Sequence, residues 1–478
     1  MRAAIAFAAA LLSAPGSRAE LRTEHFDREP AGWEGINNRN TLFEPRGVEQ
    51  NFGFSAETTH AGGAKGEIGG RINPAGEPAH YGFRLPKRLT GDMPFTAEGK
   101  MLVPKGAGHC LMGLYNVETL GGWRTPNTMV ARINGRGESF HCHIEYTTAR
   151  WRAGAGVIGE IVPGSRITPI EVPQGKPMTW KMAYTPAKDG SGEFTFEMAG
   201  GKAQCRIEPE HRKEGLTFTH FGLMPVLKSW DSGGEIWLDD LKINGAAFEF
   251  AADPGWDASG NRRTYQTLDI RPRFDFGWSN TKHAGGLKPG ELGGLVFRGD
   301  CREPGRMGCY GDRIKPLSLN GPLEARGRVA VLRAVSDSTA SIGFYHSVHS
   351  MKSNPSQKNA TPMNYLGINI EGPSSEGFFF YPVCRPHGDD TAVSGYDKAP
   401  RIYPDGKTHE WRLRYDPKGG NGDGEITMSL DAQTCRMKLP PDFKTTGADF
   451  DRFGICTPWI DGNSVIVYFD DLVYTCAP

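Results

Sequence analysis

The chain has 478 residues, with 55 basic and 55 acidic side chains and a formal net charge of zero. That balance gives no electrostatic reason to expect nucleic acid or an anionic membrane surface as partner. Its 63 glycines and 34 prolines suit short strands and many turns better than helix bundles, and at roughly 100–200 residues per domain the length allows two or three domains.

In chain order, residues 1–19 come first: Arg2, an apolar run from Ala3 to Leu12, and a small-x-small site at Ser17-Arg18-Ala19. This pattern predicts a secretory signal peptide cleaved after Ala19. The run is too short for a membrane span, which needs about 20 apolar residues. The mature protein is therefore expected outside the cytoplasm, extracellular or periplasmic, with no membrane span. Nine cysteines then lie in a setting that permits disulfides; Cys301 with Cys309 and Cys456 with Cys476 are expected pairs.

Next come EPAGWEGINNR (29–39) and the corner HAGGAKGEIGG (60–70). Five glycines around Glu67 permit positive φ and close backbone approach. His60 and Glu67 form either a structural corner or an acid–base pair. HYGFRL contributes Tyr81, GLYN contributes Asn116, and GWRTPNTMVARING contributes Trp123, Arg124, Asn127 and Arg132. Arginine suits a carboxylate or sulfate, asparagine vicinal hydroxyls, and exposed tryptophan the face of a sugar ring.

FHCHIEYTTARWR (140–152) reads as a strand and a basic turn ending near Arg150. Alternation puts His141, His143 and Glu145 on one face, with Cys142, Ile144 and Tyr146 on the other. A His-His-Glu face is a wet sheet surface, a wall of an active site or an ion site. His143, Glu145 and Tyr146 are the candidates there for proton transfer. WKMAYTP, a Gly-containing turn and EFTFEM form a hairpin, and IWLDDLKI closes the segment with Asp239 and Asp240.

The series then repeats. DPGWDASGNRR (253–263), HAGGLKPGELGG (283–294), CYGDRI, GFYH, ATPMNYLGINIEG, GKTHEWRLRYDP and VYFDDLVY follow in the same order. The spacing between copies grows from 223 residues, His60 to His283, to 231, Asp239 to Asp470, so insertions fall in loops. The expected division is a signal peptide over 1–19, one domain over 20–246 and a homologous one over 247–478. Alternating runs without helical periodicity predict an all-β chain, two antiparallel sheets stacked in each domain.

The F-x-x-x-P-x-GW opening, the W-x-x-x-Y-P hairpin strand and the closing [WY]-x-DD-L strand resemble the concanavalin A-like and laminin-G-like jelly rolls of secreted carbohydrate-active proteins. The resemblance covers both copies. It implies polysaccharide as the partner and a glycoside hydrolase, a polysaccharide lyase or a lectin-like binding module as the function. It also implies a structural calcium ion at Asp239 and Asp470. The chain carries neither the E-x-D-x-x-E strand of that superfamily's glucanases nor the Q-x-H and Y-x-K-x-Y strands of its alginate lyases. No P-loop, dinucleotide fingerprint, G-x-S-x-G elbow or H-E-x-x-H is present, so no organic cofactor is expected.

Copy two replaces Arg124 by Ala360 and Arg132 by Asn369 and is apolar where copy one has His143 and Glu145. The first copy is therefore the expected active one. The reading is a secreted enzyme degrading an acidic or sulfated polysaccharide, with a non-catalytic tandem glycan-binding or adhesion protein as the alternative. Glu67 and Glu145 are the carboxylate pair that a hydrolase would use.

Overall fold

The computed structural model describes residues 19–40, 44–122, 124–150, 152–161, 167–388 and 391–478. The expected signal peptide, but for Ala19, lies outside them. The regular elements of the described chain are almost all strands, with short α-helices at Pro209–Glu214 and Phe443–Thr446. None of its helices is long and apolar enough to cross a membrane.

Four large antiparallel sheets stack in pairs as two jelly-roll β-sandwiches. In the first sandwich the front sheet runs Ala153–Val157, Ser139–Thr147, Thr128–Gly137, Gly106–Tyr115, Thr217–Met224, His80–Thr90 and Asp257–Ser259. Its back sheet has Phe95–Leu102, Gly234–Ile243 and Glu67–Ile72 at its centre. Period-two alternation turns Met112, Met129, Ile144 and Phe221 inward onto Trp180, Phe196 and Ile236 of the back sheet. The second sandwich repeats this order around Trp411, Phe453 and Phe469.

The expected boundary between residues 246 and 247 is corrected by the sheets. Glu20–Glu24 pairs with Ser464–Ala477, Trp33–Ile36 with Cys309–Ser318, and Arg39–Asn40 with Phe274–Ser279. Phe26 and Trp33 lie in the second core. The matching segment after the first closing strand stays with the first sandwich. Asp257–Ser259 pairs with His80–Thr90, Arg262–Thr267 pairs with Arg46–Ser55, and Trp256 joins the first core. Each sandwich is thus closed by the segment that precedes the other in the chain, taken cyclically. A repeat in sequence fixes which segments are alike, and pairing decides which sandwich each one completes.

The expected disulfides are corrected too. All nine cysteines are buried and free, and Cys309 stands directly across from Cys456 on the neighbouring strand.

Candidate functional site

The outer face of the first front sheet gathers polar groups by alternation. In Ser139–Thr147, Phe140, Cys142, Ile144 and Tyr146 pack inward, which turns His141, His143 and Glu145 outward. In Thr128–Gly137, Met129, Ala131 and Ile133 pack inward, which turns Arg132 and Asn134 outward. Pairing sets His143 opposite Arg132 and His141 opposite Asn134. On the next strand His109 stands opposite Asn134, and Leu111 opposite Arg132. Arg132 Nη2 donates to Glu145 Oε1 at 2.9 Å, both side chains about a quarter exposed (25% and 27%).

Cations outweigh the nearby carboxylates Asp231 and Glu145 in their effect on the two histidines of this face. Burial and then the cations Lys228 and Arg132 push the His109 imidazole down to about 4, and burial with Arg132 pushes His143 below the usual histidine value. Both rings are therefore neutral at pH 7, and a neutral imidazole accepts a proton. His109 Nδ1 and Arg132 Nε are buried without a hydrogen-bond partner.

One end of the face is walled. A cavity of about 390 Å³ is lined by Leu111, Arg124, Arg132, Glu145, Val226 and residues 373–375 of the second sandwich. Arg124 Nη1 donates to the Ser374 carbonyl at 2.5 Å, and burial pushes its guanidinium down to about 10, still protonated at neutral pH. Ala153 N donates to the Ser375 carbonyl at 3.0 Å. Glu376 accepts from Arg152 Nε at 2.8 Å and meets His211 Nε2 at 2.8 Å.

Of the candidates, Arg124, Arg132 and Glu145 line this cavity, and His143 stands opposite Arg132 on the same face. Several other candidates are placed elsewhere. Tyr146 faces the core, with its hydroxyl 2.8 Å from His211 Nδ1. Tyr81 also packs inward, its ring 5.7 Å from Trp256. Asn116 Oδ1 accepts from Glu118 N, and Asn127 Oδ1 accepts from Thr217 N, each at 3.0 Å, so both buried amides hold loops. Arg150 is exposed beyond the strand and does not line the cavity. Trp123 lies outside the described residues.

His60 and Glu67 are corrected to a structural corner at the head of a back-sheet strand. Glu67 is fully buried and accepts from the N–H groups of His60 and Ala61, each at 2.8 Å. The same corner recurs as Glu291 with the N–H groups of His283 and Ala284, at 2.8 and 2.7 Å. Gly69 and Gly70, at φ +158° and +124°, lie against neighbouring backbone where a Cβ would clash. Glu67 and Glu145 therefore stand on different sheets and cannot flank one glycosidic bond. Glu67→Ala, which leaves two buried N–H groups unmet, is expected to cost about 1–3 kcal/mol of stability. Thermal melting checks this, and the activity of the folded protein at low temperature should be unchanged.

Asp239 and Asp470 reach into these corners. A Cβ on Gly62 or Gly286 would fall 1.6 or 1.8 Å from their Oδ2 atoms. Asp470 is fully buried, its Oδ2 has no partner, and burial pushes its carboxyl up to about 7. An orphaned carboxylate oxygen beside a second carboxylate, Glu291, fits a hard cation. Among the described residues no three His, Cys, Asp or Glu side chains are grouped to hold a metal.

Sequence reasoning missed His109, Lys228 and the Ser374 to Glu376 segment. For His109 the signal was present, since it stands two positions from Leu111 in an alternating strand whose other face, Cys110, Met112 and Leu114, packs inward.

No protein family matches the chain, and no curated protein matches it at a significant level. Solved structures similar to it include the carbohydrate recognition domain of Emp47p, at 12% identity over 44% of this chain and 93% of that one, TM-score 0.27. Domains LG4-5 of the mouse laminin alpha1 chain match at 10% identity over 90% of this chain and 85% of that one, TM-score 0.24. An alginate lyase from Pseudomonas aeruginosa matches at 12% identity over 32% of this chain and 65% of that one, TM-score 0.21. The jelly-roll assignment rests on the strand order itself, and these values carry nothing about activity.

Proposed function

We propose that the protein is an exported enzyme that cleaves an acidic polysaccharide by β-elimination on the front face of the first sandwich. The observation that carries this reading is a neutral imidazole, His143, set directly opposite a cation, Arg132. Arg132 and Arg124 neutralise the uronate carboxylate, which acidifies the carbon-bound proton beside it. His143 takes that C5 proton, the freed electron pair becomes the C4=C5 double bond, and the C4–O bond breaks. The departing oxygen is protonated by the imidazolium or by water. Hydrolysis is less well served, because it needs two carboxylates astride the bond, and Glu145 is held by Arg132 while Glu67 sits in the back sheet.

The test is a screen against uronate-rich, sulfated and neutral polymers, following reducing ends together with absorbance at about 235 nm, where the unsaturated product absorbs. New ends with that absorbance are expected. New ends without it would replace the lyase by a hydrolase, and binding without new ends would replace the enzyme by a tandem lectin.

We also propose a structural cation at Asp470, supported by its orphaned oxygen. Folding raises this carboxyl from 3.8 to about 7. In calcium-free protein its contribution is therefore complete below the unfolded value and lost as pH rises through about 7. Millimolar calcium is expected to raise the melting temperature near pH 8, as ligand binding to the native state must. Asp470→Asn should abolish that rise, and an equal rise in the variant would place the ion elsewhere.

A further inference from the structure

The groove of the first sandwich has two unlike ends. Rows of outward residues cross the front sheet in register: Thr147 with Thr128, then Glu145 with Val130, then His143 with Arg132, then His141 with Asn134. The Thr128 and Thr147 row lies at the walled end, inside the cavity with Thr125 and residues 373–375. At the other end His141 and Asn134 are half-buried and Arg136 is exposed. The hairpin tip of the first sandwich at that end is held by its own sandwich, its Glu138 carbonyl accepting from Gln174 N at 3.1 Å and its side chain paired with Lys105.

The wall is a built contact. Four groups of the first sandwich fix three consecutive residues of the second: Arg124 on Ser374, Ala153 on Ser375, and Arg152 with His211 on Glu376. His211 is buried, and its other ring nitrogen is held by Tyr146. A paired and hydrogen-bonded set of this kind resists being pushed aside by substrate. The cavity, about 390 Å³, stands at the small end of ordinary ligand pockets, roughly 300–1,000 Å³.

We propose that residues 373–376 of the second sandwich are a stop at one end of the groove, so that the site takes an acidic polysaccharide by its terminus and releases short products. This rests on the reading of the face as a site of polysaccharide cleavage. The terminal sugar lies against the tip beside Glu145 and Arg132, and the rest of the chain passes over His143, His141 and Asn134 toward Arg136. Glu376, Arg152 and His211 act here as positioning residues, since none of them lines the cavity. The second sandwich is thereby given a part in specificity.

The experiment uses the full chain with alginate, polygalacturonate and uronate octasaccharides labelled at the reducing end. Product length is followed by chromatography and chain scission by viscosity. Wild type is expected to release mono- and disaccharides from the first minutes, with viscosity falling late. Glu376→Ala, and a second variant with residues 373–376 replaced by two glycines, should shift the first products to tetrasaccharides and longer, with viscosity falling early. Circular dichroism and melting confirm that each variant is folded. Long first products from wild type, or identical product lengths in wild type and both variants, would overturn the stop while leaving cleavage intact. No new ends from any polymer would overturn the cleavage reading and this inference with it.

Discussion

His143→Ala is expected to lower turnover about 10²–10⁴-fold, the usual worth of a positioned general base, with KM little altered. The base form must be present, and its pKa is held below the usual histidine value by burial and by Arg132. The rate of wild type should therefore climb with pH through a value below 6.5 and be flat across neutrality. Arg132→Ala should do two things at once. It removes the cation that stabilises the developing charge, and it moves the limb of the pH profile upward, because one of the terms depressing His143 has gone. A residue that only held the sheet together would lower the rate without moving that limb. Glu145→Gln keeps the shape of the Arg132 partner and loses its charge, so its effect should be smaller than that of Arg132→Ala. If His143→Ala retains full turnover at every pH, the base is another group, and His109 is the next to test.

Much of this face was legible in the sequence. Alternation is a local property, so His141, His143 and Glu145 could be assigned to one face without knowing the fold. Their absence from the second copy singled out the first. Register was harder. Matching the copies by eye sets Tyr146 against Tyr381, yet pairing puts Tyr381 opposite Asn369 as His143 is opposite Arg132. A slip of this kind exchanges the two faces of a strand: Tyr381 stands on the outer face at the place of His143, whereas Tyr146 packs into the core. Tyr81, Asn116 and Asn127 misled for a different reason. Polar groups that fasten loops and polar groups that meet ligand look alike until burial and partners are known. The contact of Glu376 with Arg152 spans 224 residues, and no spacing within one repeat points to it. The corner at Glu67 was read partly right, since its glycines announce a tight turn and the carboxylate goes to backbone N–H groups.

The exchange of closing segments makes a prediction that a simple division of the chain would reverse. Trp33 is 8% exposed and packs at 5.2, 5.5 and 6.3 Å from Phe26, Tyr310 and Tyr474. Trp256 is equally buried and packs at 5.7, 5.5 and 5.6 Å from Tyr81, Phe248 and Phe250. Replacing either by Ala leaves a ring-sized cavity, which in a core costs about 3–5 kcal/mol. Trp33→Ala, in the first repeat of the sequence, is expected to loosen the second sandwich. Trp256→Ala, at the start of the second repeat, is expected to loosen the first. Hydrogen exchange separates the two, because protection should fall first in Leu323–Ala334 for Trp33→Ala and in Phe95–Leu102 for Trp256→Ala. Loss of protection in the sandwich that each residue precedes in sequence would refute the exchange. The functional consequences differ as well. Trp256→Ala weakens the sheet that carries His143 and Arg132 and should lower activity on heating. Trp33→Ala weakens the sandwich that carries residues 373–376, so the walled end of the groove should open before the reactive face is lost, and longer products should appear while turnover persists.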